Sequence, residues 1–464
     1  MKIVAIDCHV LLVPKVDTGA TSSAQDNLVV FIRTDAGITG VGESDANPWM
    51  LRAAIEAPGT HTMGLGLKEM LLGTDPLRPA EEIWQRLYDG SAMNGRRGIV
   101  IHAMGALDVG LWDIKGKAAN APIWQLLLRD DDGAALFGAT SSTTTDPPPP
   151  PPPTPTPPRD HIVPYASLQP ETFESFAEYR DSLVKWAVRA KDLGFAACKI
   201  ECTLVGPYAH CGLDEPDPAR VTEVLAAVRA AVGPAMTILV DVQYAYEDPR
   251  VVAALVAEWR RRGLDIFFVE TPLRMDLVEE MAELHRLIKD EWDTAAAADG
   301  GTTNASPPTM IAYGEWQATR FEMLDLVERG HIDVVQPDVG RIGGLTEARR
   351  VCRMAQAKGR VVVPHCWKTM IGIAATAHLA AAFGCRFIEF LPAELTGSPM
   401  RQRLTTNDEF TAVVDGRLPL PQRPGIGVHV DMGALREFER HAEAAFAKLN
   451  PPVAAQGAAS LLRA

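Results

Sequence analysis

Six ionisable residues, Asp241, Glu270, Glu315, Asp338, His365 and Glu389, each close a short apolar run: "ILVD", "IFFVE", "MIAYGE", "IDVVQPD", "VVVPH" and "FIE". The steps between them are 29, 45, 23, 27 and 24 residues, and the long step contains a low-complexity insertion from Asp293 to Pro308. A strand, a helix and two loops occupy a stretch of this length. The runs are almost wholly apolar, as expected of strands buried on both faces. Parallel strands repeating in this way predict an α/β fold with a (β/α)8-type barrel, a modified TIM barrel whose strands converge at their C-terminal ends. Asp241, Glu270 and Glu315 would then meet in space. Three carboxylates in a low-dielectric site repel one another strongly. A hard divalent cation resolves the repulsion, and an all-oxygen donor set favours Mg²⁺ or Mn²⁺ over Zn²⁺.

Upstream, "FAACKIEC" reads as a further strand. Side chains alternate along a strand, so Lys199 and Glu201 face the same way, into the barrel mouth. A lysine beside a bound cation can lose its proton and act as a base. Glu201 could itself be a base or an extra metal ligand, or the two could form a structural salt bridge. Gln243, two residues past Asp241, faces the same side. One acidic residue after a strand ordinarily caps the next helix, but an ordered series at barrel spacing is not explained by capping.

This ordered set, with "QPDVGRIGG" around Asp338, "VPHCWKT" around His365 and "IEF" around Glu389, resembles the mandelate racemase branch of the enolase superfamily. The resemblance spans roughly Met1–Ala134 and Val163–Asp431. It implies an enolase-like barrel under an α+β N-terminal capping domain, with Asp241, Glu270 and Glu315 as the ligands of Mg²⁺. It also implies an Asp338–His365 dyad that moves protons, and Glu389 as a protonated carboxyl stabilising an enolate. Several family members carry Lys-x-Lys where this chain has Lys199-Ile200-Glu201, which leaves the base among Lys199, Glu201 and His365. The expected activity is removal of the proton α to a carboxylate. Its most natural outcome is dehydration of an acid sugar, an aldonate or aldarate, to a 2-keto-3-deoxy acid. Racemisation, epimerisation or cycloisomerisation on the same scaffold is the alternative, and a catalytically silent binding protein is another. The expected partner is a small carboxylate substrate, and the resemblance implies a homo-oligomer. Lys368 reads as a solvated loop lysine outside the site.

The rest of the chain must position these groups. A net charge of −14 with 47% hydrophobic residues argues against nucleic acid, whose binding rests on phosphate neutralisation. Seven cysteines without a CxxC pair fit a reducing, cytoplasmic location, with Cys198 and Cys202 as small buried residues. No stretch approaches the ~20 apolar residues of a membrane span. Residues 1–134 read as a capping domain of β-meander and helices, with the latter spanning 50–130 and punctuated at Gly116 and Pro122. The family resemblance implies two substrate-facing loops in it, near 16–26 and 45–65, the second carrying His61. Residues 135–162 form a Pro/Thr/Ser-rich insertion with seven consecutive prolines, and 293–309 a second one. Both compositions predict poor order. The barrel follows over 163–400, and the resemblance implies that 401–464 returns to complete the cap.

Overall fold

A computed structural model of the chain describes residues 1–17, 25–129, 161–210, 213, 217–298, 308–392, 395, 398–406 and 413–450. Three antiparallel strands open the fold, β1 (Ile3–Leu12), β2 (Asp26–Thr34) and β3 (Thr39–Ser44). Gly37, at φ 77°, supplies the left-handed residue of the β2–β3 turn. Helices Pro48–Glu56, Leu67–Leu71, Ala80–Gly90, Ile99–Ala118 and Ile123–Leu127 follow. Helix Ile99–Ala118 lies directly on β3. A Cβ on Gly42 would stand 2.0 Å from Ala106 O, so only glycine permits this approach.

A short ribbon of β4 (His161–Ile162) with β13 (Leu418–Pro419) leads into the barrel. The barrel strands are β5 (Pro164–Leu168), β6 (Ala197–Glu201), β7 (Thr237–Asp241), β8 (Ile266–Glu270), β9 (Met310–Tyr313), β10 (Val334–Val335), β11 (Val361–Val362) and β12 (Ile388–Phe390). They form one parallel sheet of order β11-β10-β9-β8-β7-β6-β5-β12. Between its two ends, Arg386 N–H donates to Val362 O at 3.1 Å and Glu389 N–H to Pro364 O at 3.4 Å.

The barrel interior explains where the chemistry sits. Tyr165, Ala197, Leu239, Phe268, Ala312, Val334, Val363 and Phe387 form one buried apolar layer, a contribution from each strand or its edge. Large and small side chains share this layer, so it fills the barrel as a plug. Two residues further along each chain segment, on the same inward face, stand Ser167, Lys199, Asp241, Glu270, Gly314, Gln336, His365 and Glu389. Thus the polar layer rests directly on the apolar one.

The C-terminal helix Met432–Leu449 starts at Asp431, whose side chain accepts from Gly433 N and Ala434 N. It packs on the cap: Ala442 joins the cluster of Ile3 and Ile6, and His9 Nδ1 lies 2.9 Å from Glu439 Oε1. Three buried carboxylates of the cap satisfy backbone groups beyond it. Glu43 accepts from Thr369 N (3.0 Å), Thr369 Oγ1 (2.6 Å) and Gly372 N (2.7 Å). Asp108 accepts from Thr346 N (2.9 Å) and Thr346 Oγ1 (2.6 Å), and Asp113 from Ile426 N (2.8 Å). Each takes up donors at a helix start or loop that would otherwise be buried unpaired.

Some expectations change. Helix Val278–Ala298 continues from Asp293 to Ala298, into the second low-complexity stretch, because its alanines are strong helix formers. Helix Ile99–Ala118 runs through Gly116, whose bare Cα packs against Gly425. The second cap loop contains helix Pro48–Glu56, started by Asn47. The proline run and the tip of the first cap loop, residues 18–24, lie outside the described residues. Among the described residues, no helix is long and apolar enough to cross a membrane.

Candidate active site

Adjacent strands bring the predicted residues together in register. Glu201 pairs with Asp241 across β6 and β7, and Asp241 with Glu270 across β7 and β8. Glu315 follows β9, Asp338 follows β10, His365 follows β11, and Glu389 lies within β12. All eight sequence-predicted residues, Lys199, Glu201, Asp241, Glu270, Glu315, Asp338, His365 and Glu389, are buried. They surround or underlie a cavity of about 230 Å³. Lys199, Glu201, Asp241, Gln243, Glu315 and His365 line it, together with Arg341 and the rings of Tyr208, Tyr244, Trp316 and Trp367.

Lys199 is the centre of the charge pattern. Its Nζ lies 2.7 Å from Glu270 Oε1, 2.9 Å from Glu389 Oε1 and 3.7 Å from Asp241 Oδ2. Burial alone would favour a neutral amine, but Glu270 and Glu389 outweigh it and hold Lys199 well above the ordinary lysine range. The lowered lysine pKa expected beside a cation is therefore not the state of this arrangement. The Lys199–Glu201 salt bridge is replaced by pairs to other strands. Glu201 instead accepts from Gln169 Nε2 at 2.7 Å, with His210 Nε2 3.3 Å from its other oxygen.

His365 and Asp338 form the expected pair, with Nδ1 2.7 Å from Asp338 Oδ2. Asp338 Oδ1 accepts from Gly340 N at 2.8 Å and Arg341 N at 3.1 Å, which fixes the carboxylate. The other ring nitrogen lies 2.9 Å from Glu315 Oε2 and 3.5 Å from Glu389 Oε2. Burial opposes a charged ring, yet Glu389, Glu315 and Asp338 push His365 up to about 10. This direction favours an imidazolium, whose two N–H groups can donate to Asp338 and to Glu315. Glu389 departs from its expected protonated form. Burial raises its pKa, but the Lys199 and His365 charges and the Cys366 N–H outweigh that and hold it below the usual range.

Sequence reasoning missed the groups that join cap and barrel here. Arg341 binds Asp45 Oδ2 through Nη2, approaches Glu315 Oε2 at 3.4 Å and Asp338 Oδ2 at 3.8 Å, and is buried. Lys368 is not solvated. It is buried, donating to Asp26 O at 2.8 Å and lying 3.0 Å from Asp45 Oδ1. Its position beside "VPHC" was the available signal. Gln336 donates to Glu270 Oε2 at 2.8 Å, and its place two residues before Asp338, on the same inward face, could have revealed it. His61 is exposed and does not line the cavity.

The fit of a metal follows from the donor set. In the present side-chain arrangement, no described group of three His, Cys, Asp or Glu side chains closes around a common point. Protein cations occupy the oxygens instead: Lys199 at Glu270, His365 and Arg341 at Glu315. Asp241 is less well matched. Burial and the neighbouring Glu270 charge push its carboxyl well above the ordinary range, while Thr271 Oγ1 and Gln243 N supply only neutral donors to Oδ1. An all-oxygen, charge-rich set at a cavity wall fits a hard divalent cation in chemistry and charge. Such a cation would compete with Lys199 for Glu270 and with His365 for Glu315.

Known proteins agree with this architecture. Residues 3–127 match the mandelate racemase / muconate lactonizing enzyme N-terminal domain, and residues 182–434 match the enolase C-terminal domain-like family. D-galactarolactone cycloisomerase of Agrobacterium fabrum is 28% identical over 449 residues, covering 94% of this chain and 99% of the relative. Arabinonate dehydratase of Saccharolobus solfataricus is 26% identical over 423 residues, covering 91% and 92%. A racemase from Streptomyces coelicolor A3(2), solved with bound magnesium, shares the fold with a TM-score of 0.68 at 22% identity, over 94% of this chain and 99% of that one. With its plug of apolar side chains, the ring of carboxylates above it and both family domains matched along its length, this chain belongs to the enolase superfamily, in the mandelate racemase / muconate lactonizing enzyme group.

Proposed function

We propose that the protein removes the proton α to the carboxylate of an acid sugar and expels the β-hydroxyl as water, giving a 2-keto-3-deoxy acid. Asp241, Glu270 and Glu315 would hold Mg²⁺, with Mn²⁺ as a substitute, and the bound cation would supply Lewis-acid stabilisation of negative charge on the substrate carboxylate. The observation that carries the reading is the Asp338–His365 pair at the cavity wall. Elimination needs an acid at the leaving hydroxyl, and an imidazolium oriented by Asp338 at the cavity wall can be that acid. A base of the site takes the α-proton, the C–H electron pair becomes the new C=C bond, the hydroxyl leaves as water with the His365 proton, and the enol tautomerises to the keto acid. Lys199 fixes Glu270 and Glu389 beneath the cavity and adds positive charge near the developing enolate. A panel of aldonic and aldaric acids with Mg²⁺, read by 2-keto acid formation, tests this; consumption of none of them, with divalent cation bound, sinks it.

A second reading is isomerisation of a cyclic acid sugar. One wall of the cavity is aromatic. Tyr244 stacks on Trp316 at 4.4 Å and 27°, and Tyr208 meets Trp316 edge-on at 5.6 Å. Sugar rings present C–H faces that pack on such surfaces. Conversion of lactones to isomers without 2-keto acid, followed by proton NMR, would favour it.

A further inference from the structure

We infer that His210 is the positioning residue of Glu201, the candidate base on the side of the cavity away from His365. The inference rests on the α-proton reading above and assigns a role to a histidine that lies outside the barrel strands. β6, which carries Glu201, is separated from β11 by β5 and β12 in one direction and by β7 to β10 in the other. A substrate in the cavity therefore has His365 and Glu201 on different sides of it.

Glu201 has no lysine or arginine partner among the described residues, and Asp241, the nearest case, has Lys199 Nζ at 3.7 Å. Glu270 and Glu389 are paired with Lys199, and Glu315 with His365 and Arg341. Asp338 is paired with His365. Glu201 lines the cavity and receives the Gln169 amide at 2.7 Å on one oxygen and the His210 ring at 3.3 Å on the other. Among the described residues no Lys or Arg ion pair holds it, so a proton transferred to it displaces no cation.

His210 is built to do this one thing. Its backbone N–H donates to Thr203 O at 3.1 Å, which returns the loop after β6 onto the strand end. The ring is packed between Tyr179 at 5.3 Å and the edge of Phe173 at 6.2 Å. Tyr179 also donates its hydroxyl to Glu201 O at 3.1 Å, so one aromatic buttresses both partners. The other ring nitrogen, Nδ1, is buried with no hydrogen-bond partner among the described residues. A hydrogen on Nδ1 would be buried without an acceptor, which is costly. The ring therefore carries its hydrogen on Nε2 and donates it to Glu201. The arrangement resembles Asp338–His365 with the order reversed: here the carboxylate faces the substrate and the imidazole stands behind it.

The test is exchange of the substrate α-hydrogen in D₂O by the full-length, Mg²⁺-loaded enzyme, across the acid-sugar panel. His365→Asn should still exchange the hydrogen, and adding Glu201→Gln to it should abolish exchange. His210→Leu should lower the exchange rate at saturating substrate about 10- to 100-fold with little change in KM, because misplacing a reacting group costs on that order. His210→Gln, which keeps an N–H donor, should recover most of the rate, an effect a purely structural ring would not show. In the resting enzyme, ¹⁵N NMR should report the Nε2–H tautomer of His210, perturbed by Glu201→Gln. Undiminished exchange in His210→Leu, exchange surviving in the Glu201→Gln double variant, or an Nδ1–H tautomer each overturns the inference while leaving the α-proton reading in place. A wild-type enzyme that exchanges no hydrogen from any acid overturns both.

Discussion

Arg341→Met is the most informative single change, because Arg341 connects the cap, the dyad and the carboxylate ring. The substitution keeps most of the apolar stem and removes the guanidinium that binds Asp45 on the cap, faces Glu315 at 3.4 Å and faces Asp338 at 3.8 Å. Breaking a buried pair by removing one partner costs about 3–5 kcal/mol, since the other charge stays buried. Asp45 retains Lys368 at 3.0 Å, and Glu315 and Asp338 retain His365. The loss should therefore fall near the lower end, about 3 kcal/mol. Urea unfolding followed by tryptophan fluorescence measures it, and a double-mutant cycle with Asp45→Asn isolates the pair. Neutralising Asp45 first removes much of the penalty, so the double variant should be less destabilised than the two single losses added together. A coupling energy below about 0.5 kcal/mol, the scatter of independent sites, would refute the idea that this pair ties cap to barrel. Neither side chain has a comparable role in a barrel whose cap docks by apolar contact alone.

The remaining predictions address the site and the cap. Calorimetry should detect Mg²⁺ binding to the wild type and much weaker binding to Asp241→Asn, and chelation should stop turnover; full activity in chelator-treated enzyme would remove the metal triad. Asp338→Asn and His365→Asn should each lower kcat by about 10²–10⁴-fold, with the double variant far from the product of the two, because the pair acts as a unit. Burial pushes the Asp108 carboxyl from 3.8 up to about 7, so between those values the folded state holds a proton that the unfolded state has released. Stability should therefore fall as pH rises from about 4 to 7, and Asp108→Asn should flatten that slope in pH-dependent unfolding; an unchanged slope would place the titration elsewhere.

Much of the site was legible because barrel geometry converts spacing into position. Lys199, Asp241, Glu270, His365 and Glu389 each stand two residues beyond a member of the apolar plug, so strand alternation alone aims them at the mouth. What was not legible depends on pairing across elements distant in sequence. Lys368 looks like any loop lysine until β2 and β3 bring Asp26 and Asp45 to it. Glu389 appears suited to a neutral carboxyl because it is buried, and only the Lys199 and His365 contacts reverse that. Burial could be inferred from a strand's composition, whereas the sign of the nearest charge could not. The second low-complexity stretch failed for a different reason. Its alanines were read as low complexity although they also extend a helix already begun at Val278.

Glu315 shows how the regular pattern was broken to complete the carboxylate ring. On β9 the inward position two residues past Ala312 is Gly314, which has no side chain to offer. Glu315 comes one residue later and by simple alternation would point away from the mouth. Gly314 adopts φ 131°, a conformation L side chains rarely take, and a Cβ there would meet Met323 Cε at 2.6 Å and Gln336 N at 3.0 Å. The glycine thus turns the chain where nothing larger fits. The turn places the Glu315 carboxylate at the cavity, between His365 and Arg341. A regular strand would have supplied seven inward side chains above the plug and a gap at β9. The bend fills the gap with a carboxylate whose charge two cations compensate, and whose pKa is held at about 2 by His365 and Arg341 against burial. The bend thus supplies an ionised carboxylate at the cavity, the kind of oxygen donor that the proposed divalent cation requires.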